Sequence, residues 1–316
     1  MDHTPDIVCV GHIVQEMISF PDGKQGPFLG SPPAYCSVAA ARQGAAAAVV
    51  TKVGRDMPKE LLKPFGEAGV DTAGIRICGK TTATELVYDG RGNKEIRYPS
   101  KAAPIRATDV PKAYHGCGIL YVCTMDTDVP VEELGAVTAL GHVRAVDLGG
   151  YGGVHMSKAH REATASLAAL ACDVAAHFDI VKASDEDAAA IFGWNNPNVA
   201  ARKLLDCGPS IVVVTLGPQG ALVFSGKKRR AVRPFPAHVR DTTGGGDTFM
   251  AGFLCEYLCS EDPVRAAQWG AATAACVIEQ SGGVRVERMP TREQVSIRLS
   301  QSTPKMSNTK NQEKGG

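Results

Sequence analysis

With 316 residues, 44% of them hydrophobic and 21% charged, the chain has the composition of a soluble globular protein and the length to bury a core without disulfide or metal, which excludes a wholly disordered chain. Thirty-four basic against 33 acidic side chains give a formal charge of +1. Bulk electrostatics therefore favours neither nucleic acid nor a membrane surface, and any anionic ligand must be gripped locally. No apolar run approaches the roughly 18 residues of a membrane span, and the first residues lack the basic flank and apolar stretch of a secretory signal. Ten scattered cysteines with no CxxC pair read as buried thiols of a cytoplasmic protein.

In chain order, Ile7 to Val10 is a continuous apolar run closed by Gly11, as in a buried strand. Residues 14–29 read as extended, with turns at Phe20-Pro21-Asp22-Gly23 and Gly26-Pro27. An alanine-rich helix over 34–42, a strand over 47–53 and a helix over 58–68, bent at Pro64, follow. Residues 75–98 form a β island, with alternation at Ile75 to Ile77 and Thr82 to Tyr88 and a hairpin turn at Asp89 to Asn93. Strands at 118–123, 143–148, 178–183 and 211–216 then alternate with helices at 157–172, 185–192 and 198–206. Such alternation predicts a parallel sheet covered by helices on both faces. A hairpin over 220–225 and 230–236 and two helices at 247–260 and 263–280 complete the pattern, and 304–316 read as a disordered polar tail.

The densest chemical signal is Asp241-Thr242-Thr243-Gly244-Gly245-Gly246-Asp247-Thr248-Phe249, leading directly into a helix. Three glycines let backbone N–H groups converge at a helix N-terminus, where the dipole also favours negative charge, so the segment is an anion hole suited to phosphate. Asp247 can cap that helix. It can equally take a proton from a hydroxyl that attacks a phosphoryl group.

This segment resembles the DTxGAGD signature of the PfkB carbohydrate kinases, the ribokinase-like family, with Gly245 in place of alanine. Further matches follow in family order. Gly30-Ser31-Pro32-Pro33-Ala34 resembles GGxPA, Val53-Gly54-Arg55-Asp56 resembles VGxD, Lys182-Ala183-Ser184-Asp185-Glu186-Asp187 resembles KxNxxE, and Thr215 to Gly220 resembles TxGxxG. The resemblance implies a three-layer α/β/α sandwich with a central, mainly parallel sheet, one domain over 1–303, and a small β lid made by about 13–29 and 81–100. It implies ATP-dependent transfer of the γ-phosphate to a sugar or polyol hydroxyl. Asp247 would be the base, and the Gly244, Gly245 and Gly246 amides the anion hole. Glu16, Gly30, Ser31 and Tyr35 would hold the acceptor. Thr215, Gly217 and Gly220 would line the ATP site, with Ser184 and Asp187 near its phosphates and Mg²⁺. Asp241 and Thr243 match positions that hold a monovalent cation such as K⁺ in some members, and lid pairing would make a homodimer.

Glu16 stands where the family has aspartate, Tyr35 where it has asparagine, and Ser31 where it has a second glycine. Tyr35 cannot reproduce an amide's donor–acceptor pair, so nucleoside or inositol acceptors, or a non-catalytic sugar or nucleotide binder, stay open. Gly74 to Thr81 matches the Walker A spacing letter for letter, but its interior is strand-like and no helix is expected after it. Lys227-Lys228-Arg229-Arg230 reads as a solvated hairpin turn, Trp194 and Trp269 as packing residues, and Gly149 to Gly153 as a turn at the mouth of the sheet.

Overall fold

The computed structural model, which describes residues 4–20, 23–88, 94–193 and 196–301, turns the continuous apolar runs into neighbours within one large sheet. The strands are β1 (Ile7–Val10), β2 (Val14–Phe20), β3 (Gly23–Gly30), β4 (Ala47–Val53), β5 (Asp71–Ile77), β6 (Thr82–Tyr88), β7 (Lys94–Ser100), β8 (Cys117–Cys123), β9 (Gly141–Asp147), β10 (Ile180–Ser184), β11 (Ile211–Thr215), β12 (Ala221–Ser225) and β13 (Lys228–Val232). The helices are α1 (Pro32–Arg42), α2 (Lys63–Ala68), α3 (Val131–Thr138), α4 (Lys158–Ala163), α5 (Leu167–Ala175), α6 (Asp185–Phe192), α7 (Pro197–Asp206), α8 (Gly245–Ser260), α9 (Pro263–Val277) and α10 (Arg292–Gln301).

The nine-stranded sheet runs β13-β12-β11-β10-β9-β8-β1-β4-β5. It is parallel from β11 to β5, and the β12–β13 hairpin closes one edge antiparallel. Alternate residues supply the two cores. Cys9, Val49 and Tyr121 pack with α1, α2, α8 and α9, whereas Val8, Val50 and Leu120 pack with α3, α5 and α7. Burial on both faces explains why these strands read as unbroken apolar runs. The chain leaves β1 toward β4 and later returns to β8 on the other side, so a crevice opens at the carboxyl ends of β1 and β8, the usual place for a ligand in such a sheet.

A second sheet, ordered β3-β2-β6-β7, contains the segments expected to form the lid. Its central pair, β2 and β6, is parallel, and both outer pairs are antiparallel.

Several local expectations change. Ile75 to Ile77 belongs to β5 at the edge of the large sheet, not to the β island, because Gly74 lets that strand lie tightly against β4. β5 is followed by β6 and not by a helix, which removes the Walker A reading. The helix expected over 157–172 is two helices, restarted by the Ser157 and Ser166 hydroxyls, each of which accepts an amide three residues on. Residues 59–62 form a 3₁₀ turn before α2. The basic run from Lys228 to Arg230 lies along exposed β13, so only Lys227 is left in the turn. Helices α3 and α10 carried no periodic signal strong enough to mark them. Cys172 in α5 and Cys207 beyond α7 form a disulfide with Cα atoms 5.3 Å apart, because those helices pack together. Cys78 and Cys259 are exposed. The all-buried-thiol expectation is corrected accordingly. No helix among the described residues is long and apolar enough to cross a membrane. The Asp89 to Asn93 turn, Trp194 and the 304–316 tail lie outside the described residues.

Candidate active site

The carboxyl ends of β9, β10 and β11 are in register, pairing Lys182 with Asp147 and Ser184 with Thr215. Lys182 and Asp147 are buried, and Lys182 Nζ donates to Asp147 Oδ2 at 2.8 Å. Burial opposes the ammonium charge, but the Asp147, Asp187 and Asp247 carboxylates outweigh it and hold the Lys182 pKa above its ordinary value. The ammonium lies 3.5 Å from the point where a Cβ would stand on Gly246. A fixed positive charge therefore borders the glycine segment.

Above it, α8 starts from Gly244, which caps the helix at φ 77°, and Asp247 lies in the first turn. Thr248 N and Oγ1 both bond to the Gly244 carbonyl, fixing the turn. The three glycine amides are not equivalent. That of Gly245 donates to the Thr242 carbonyl at 3.0 Å, while those of Gly244 and Gly246 have no acceptor among the described residues. The ring of Tyr35, 1% exposed, forms the floor of this loop, and its carbons would lie only 2.4 to 2.7 Å from a Cβ on Gly244. Burial, opposed by Arg288 and reinforced by Glu16, Asp247 and Asp241, raises the Tyr35 pKa, which records how closely these groups gather.

On the other side, Glu16 is buried in β2, opposite Thr84 of β6, and its carboxyl carbon lies 3.2 Å from the Cβ position of Gly30. The buried hydroxyls of Ser31 and Thr84 have no hydrogen-bond partner among the described residues. Ser31 also holds φ at 96°, a conformation that suits glycine. Two orphaned hydroxyls near a buried carboxylate suit a ligand rich in hydroxyl groups.

Ser184 and Asp187 form a reciprocal cap on α6: Asp187 N donates to Ser184 Oγ at 2.9 Å and Ser184 N to Asp187 Oδ2 at 2.8 Å. Asp187 Oδ1 accepts from Val154 N at 2.9 Å. Burial would raise the Asp187 pKa, but Lys182, His155 and these amides hold it below the usual carboxylate value. Each Asp187 oxygen keeps a second lone pair, so the carboxylate can accept from the water of a hydrated Mg²⁺. No three metal-ligating side chains gather among the described residues. Thr215 ends β11, and Gly217 and Gly220, both at positive φ, shape the following loop.

Asp241 and Thr243 lie together, and both accept hydrogen bonds within the fold. Asp241 Oδ1 accepts from Thr243 N at 2.9 Å and Oδ2 from Gly282 N at 3.2 Å, while the Thr243 carbonyl accepts from Arg288 Nη2 at 2.8 Å. In the sequence Lys182 carries no role of its own, and Arg288 has no signal at all. Lys182 was visible inside the KxNxxE-like run. Arg288 lies 47 residues beyond Asp241 and left no local signal.

The pfkB family carbohydrate kinase profile matches residues 5–291. A cytidine kinase from Thermococcus kodakarensis is 29% identical over 256 residues, covering 80% of this chain and 88% of that protein. An ATP-dependent 6-phosphofructokinase from Thermoanaerobacterium thermosaccharolyticum is 25% identical over 299 residues, 90% of this chain and 91% of that protein. Among solved structures, the ATP-bound fructokinase from Xylella fastidiosa has the same fold, with a TM-score of 0.79 at 22% identity over 93% of this chain and 98% of that one.

Proposed function

Since the chain belongs to the pfkB family of carbohydrate kinases, we propose that it transfers the γ-phosphate of ATP to a hydroxyl of a small sugar or polyol. The observation that carries this reading is Asp247 in the first turn of α8, beside two glycine amides with no acceptor among the described residues and the buried Lys182 ammonium. In this account Asp247 accepts the proton of the acceptor hydroxyl as its oxygen attacks. The Gly244 and Gly246 amides and Lys182 stabilise charge on the transferring group, with the Gly245 amide holding the turn. Glu16, Gly30, Ser31 and Thr84 orient the acceptor over the floor that Tyr35 provides. Thr215, Gly217 and Gly220 line the nucleotide. Ser184 and Asp187 would hold the water shell of Mg²⁺, which neutralises phosphate charge when bound. Closure of the four-stranded sheet would exclude water.

A nucleoside acceptor is the second reading, favoured by the likeness to a cytidine kinase along most of the chain. ADP release from ATP and Mg²⁺ across pentoses, hexoses, nucleosides and inositols, run beside Asp247→Ala, separates the two. A turnover equal in wild type and variant would sink the assignment of the base. Binding of ATP without turnover of any acceptor would favour a non-catalytic role. We also place the protein in the cytoplasm and propose a homodimer formed through β3, whose residues 23–27 are exposed at the edge of the small sheet. A monomer mass by light scattering would refute that pairing.

A further inference from the structure

Arg288 has no solvent exposure, and its guanidinium donates only inward. Nη2 donates to the carbonyls of Thr243 at 2.8 Å and Asp241 at 3.3 Å, and lies 3.5 Å from Asp241 Oδ2. Nη1 donates to the Gly282 carbonyl and to the Tyr35 hydroxyl at 3.2 Å, and Nε to the Val277 carbonyl at 3.4 Å. Four backbone carbonyls and one carboxylate thus converge from two separate segments, 241–243 and 277–282. Carbonyl oxygens around a carboxylate are the donor set of a hard cation. Here a permanently charged side chain already fills it. A metal ion would have to share the same oxygens with the guanidinium and be repelled by it.

We propose that Arg288 is a tethered replacement for a monovalent metal ion, which makes this chain's phosphoryl transfer independent of K⁺. The inference rests on the kinase reading for its kinetic consequence only. Arg288 is a positioning residue. It clamps the Thr243 carbonyl immediately before Gly244 and lies over the Tyr35 ring, with its guanidinium carbon 5.7 Å from the ring centroid. The loop that presents the Gly244 and Gly246 amides is therefore ordered before any ligand arrives.

The test compares wild type, Arg288→Ala and Arg288→Met, which keeps the apolar stem and removes the guanidinium, in K⁺ and in tetramethylammonium at matched ionic strength. It reads ADP release and, without substrate, the melting temperature. Wild type should give the same rate and the same Tm in both salts. The variants should lose about 100-fold in rate in tetramethylammonium, as for a misplaced anion hole, and regain activity and Tm in K⁺ or added guanidinium. A purely structural arginine would not be rescued by a free cation. A wild type whose rate or Tm rises with K⁺ overturns the proposal, as do folded variants indifferent to both cations. If neither variant folds, the wild-type comparison decides alone: a flat response supports the proposal and a rise overturns it. Wild type silent with every acceptor would refute the kinase reading, while its Tm in the two salts would still judge Arg288.

Discussion

Placing a methyl group on Gly244 tests whether Tyr35 is the rigid floor of the anion hole. Gly244 holds φ at 77°, and an added Cβ would stand 2.4, 2.5 and 2.7 Å from Tyr35 Cε1, Cδ1 and Cζ. The ring cannot swing into solvent, because it is 1% exposed and its hydroxyl is held by Arg288. The left-handed backbone costs an alanine about 1–2 kcal/mol, and overpacking a tight site adds about 1–3 kcal/mol. Gly244→Ala should therefore destabilise the protein by about 2–5 kcal/mol, which lowers Tm by about 3–8 °C in a chain of this length. The clash should be relieved in Gly244→Ala/Tyr35→Ala, so urea unfolding of the four proteins of the cycle should give a favourable coupling of about 1 kcal/mol or more. A Gly244→Ala protein within about 0.5 kcal/mol of wild type, or two strictly additive changes, would show that Tyr35 is not a rigid floor beneath Gly244.

Ser31→Gly should relieve the positive φ and raise stability by about 1 kcal/mol by urea unfolding, while weakening acceptor binding as a higher KM; no gain in stability would contradict the strain argument. Lys182→Met leaves Asp147 buried without its cation and should cost about 3–5 kcal/mol, part of which Asp147→Asn in the same background should recover. Equal stability of Lys182→Met and wild type would remove the pair from the account. Burial opposes charge on His12, but Asp128, 3.2 Å from Nδ1, prevails and holds the His12 pKa above its ordinary value. The stabilisation this gives is complete below the unfolded pKa of about 6.5 and is lost as pH rises through the higher folded value. Tm should therefore fall from mildly acidic to alkaline pH in wild type and fall less in His12→Gln; parallel profiles would exclude the pair as the cause.

The sheet was legible because its strands are buried on both faces, so runs such as Ile211 to Val214 are apolar without interruption. The glycine segment was legible because backbone chemistry at a helix N-terminus needs those residues together. Alternation at Ile75 to Ile77 was ambiguous, since the same period suits the edge of either sheet, and partner choice was decided by the close approach at Gly74. The inequality of the three glycine amides was hidden because it depends on how Thr242 turns. Arg288 was invisible for a different reason. Its partners are backbone carbonyls, which carry no residue identity, and they lie far away in the chain.

The most direct test of the central claim is the turnover of Asp247→Asn, which keeps the side chain's size and removes its basicity. With an acceptor found for the wild type, ADP release should slow by about 10²- to 10⁴-fold, with ATP binding and Tm preserved. A rate within about tenfold of wild type would show that the proton leaves by another route, and Asp247 would then contribute only its charge at the N-terminal end of α8.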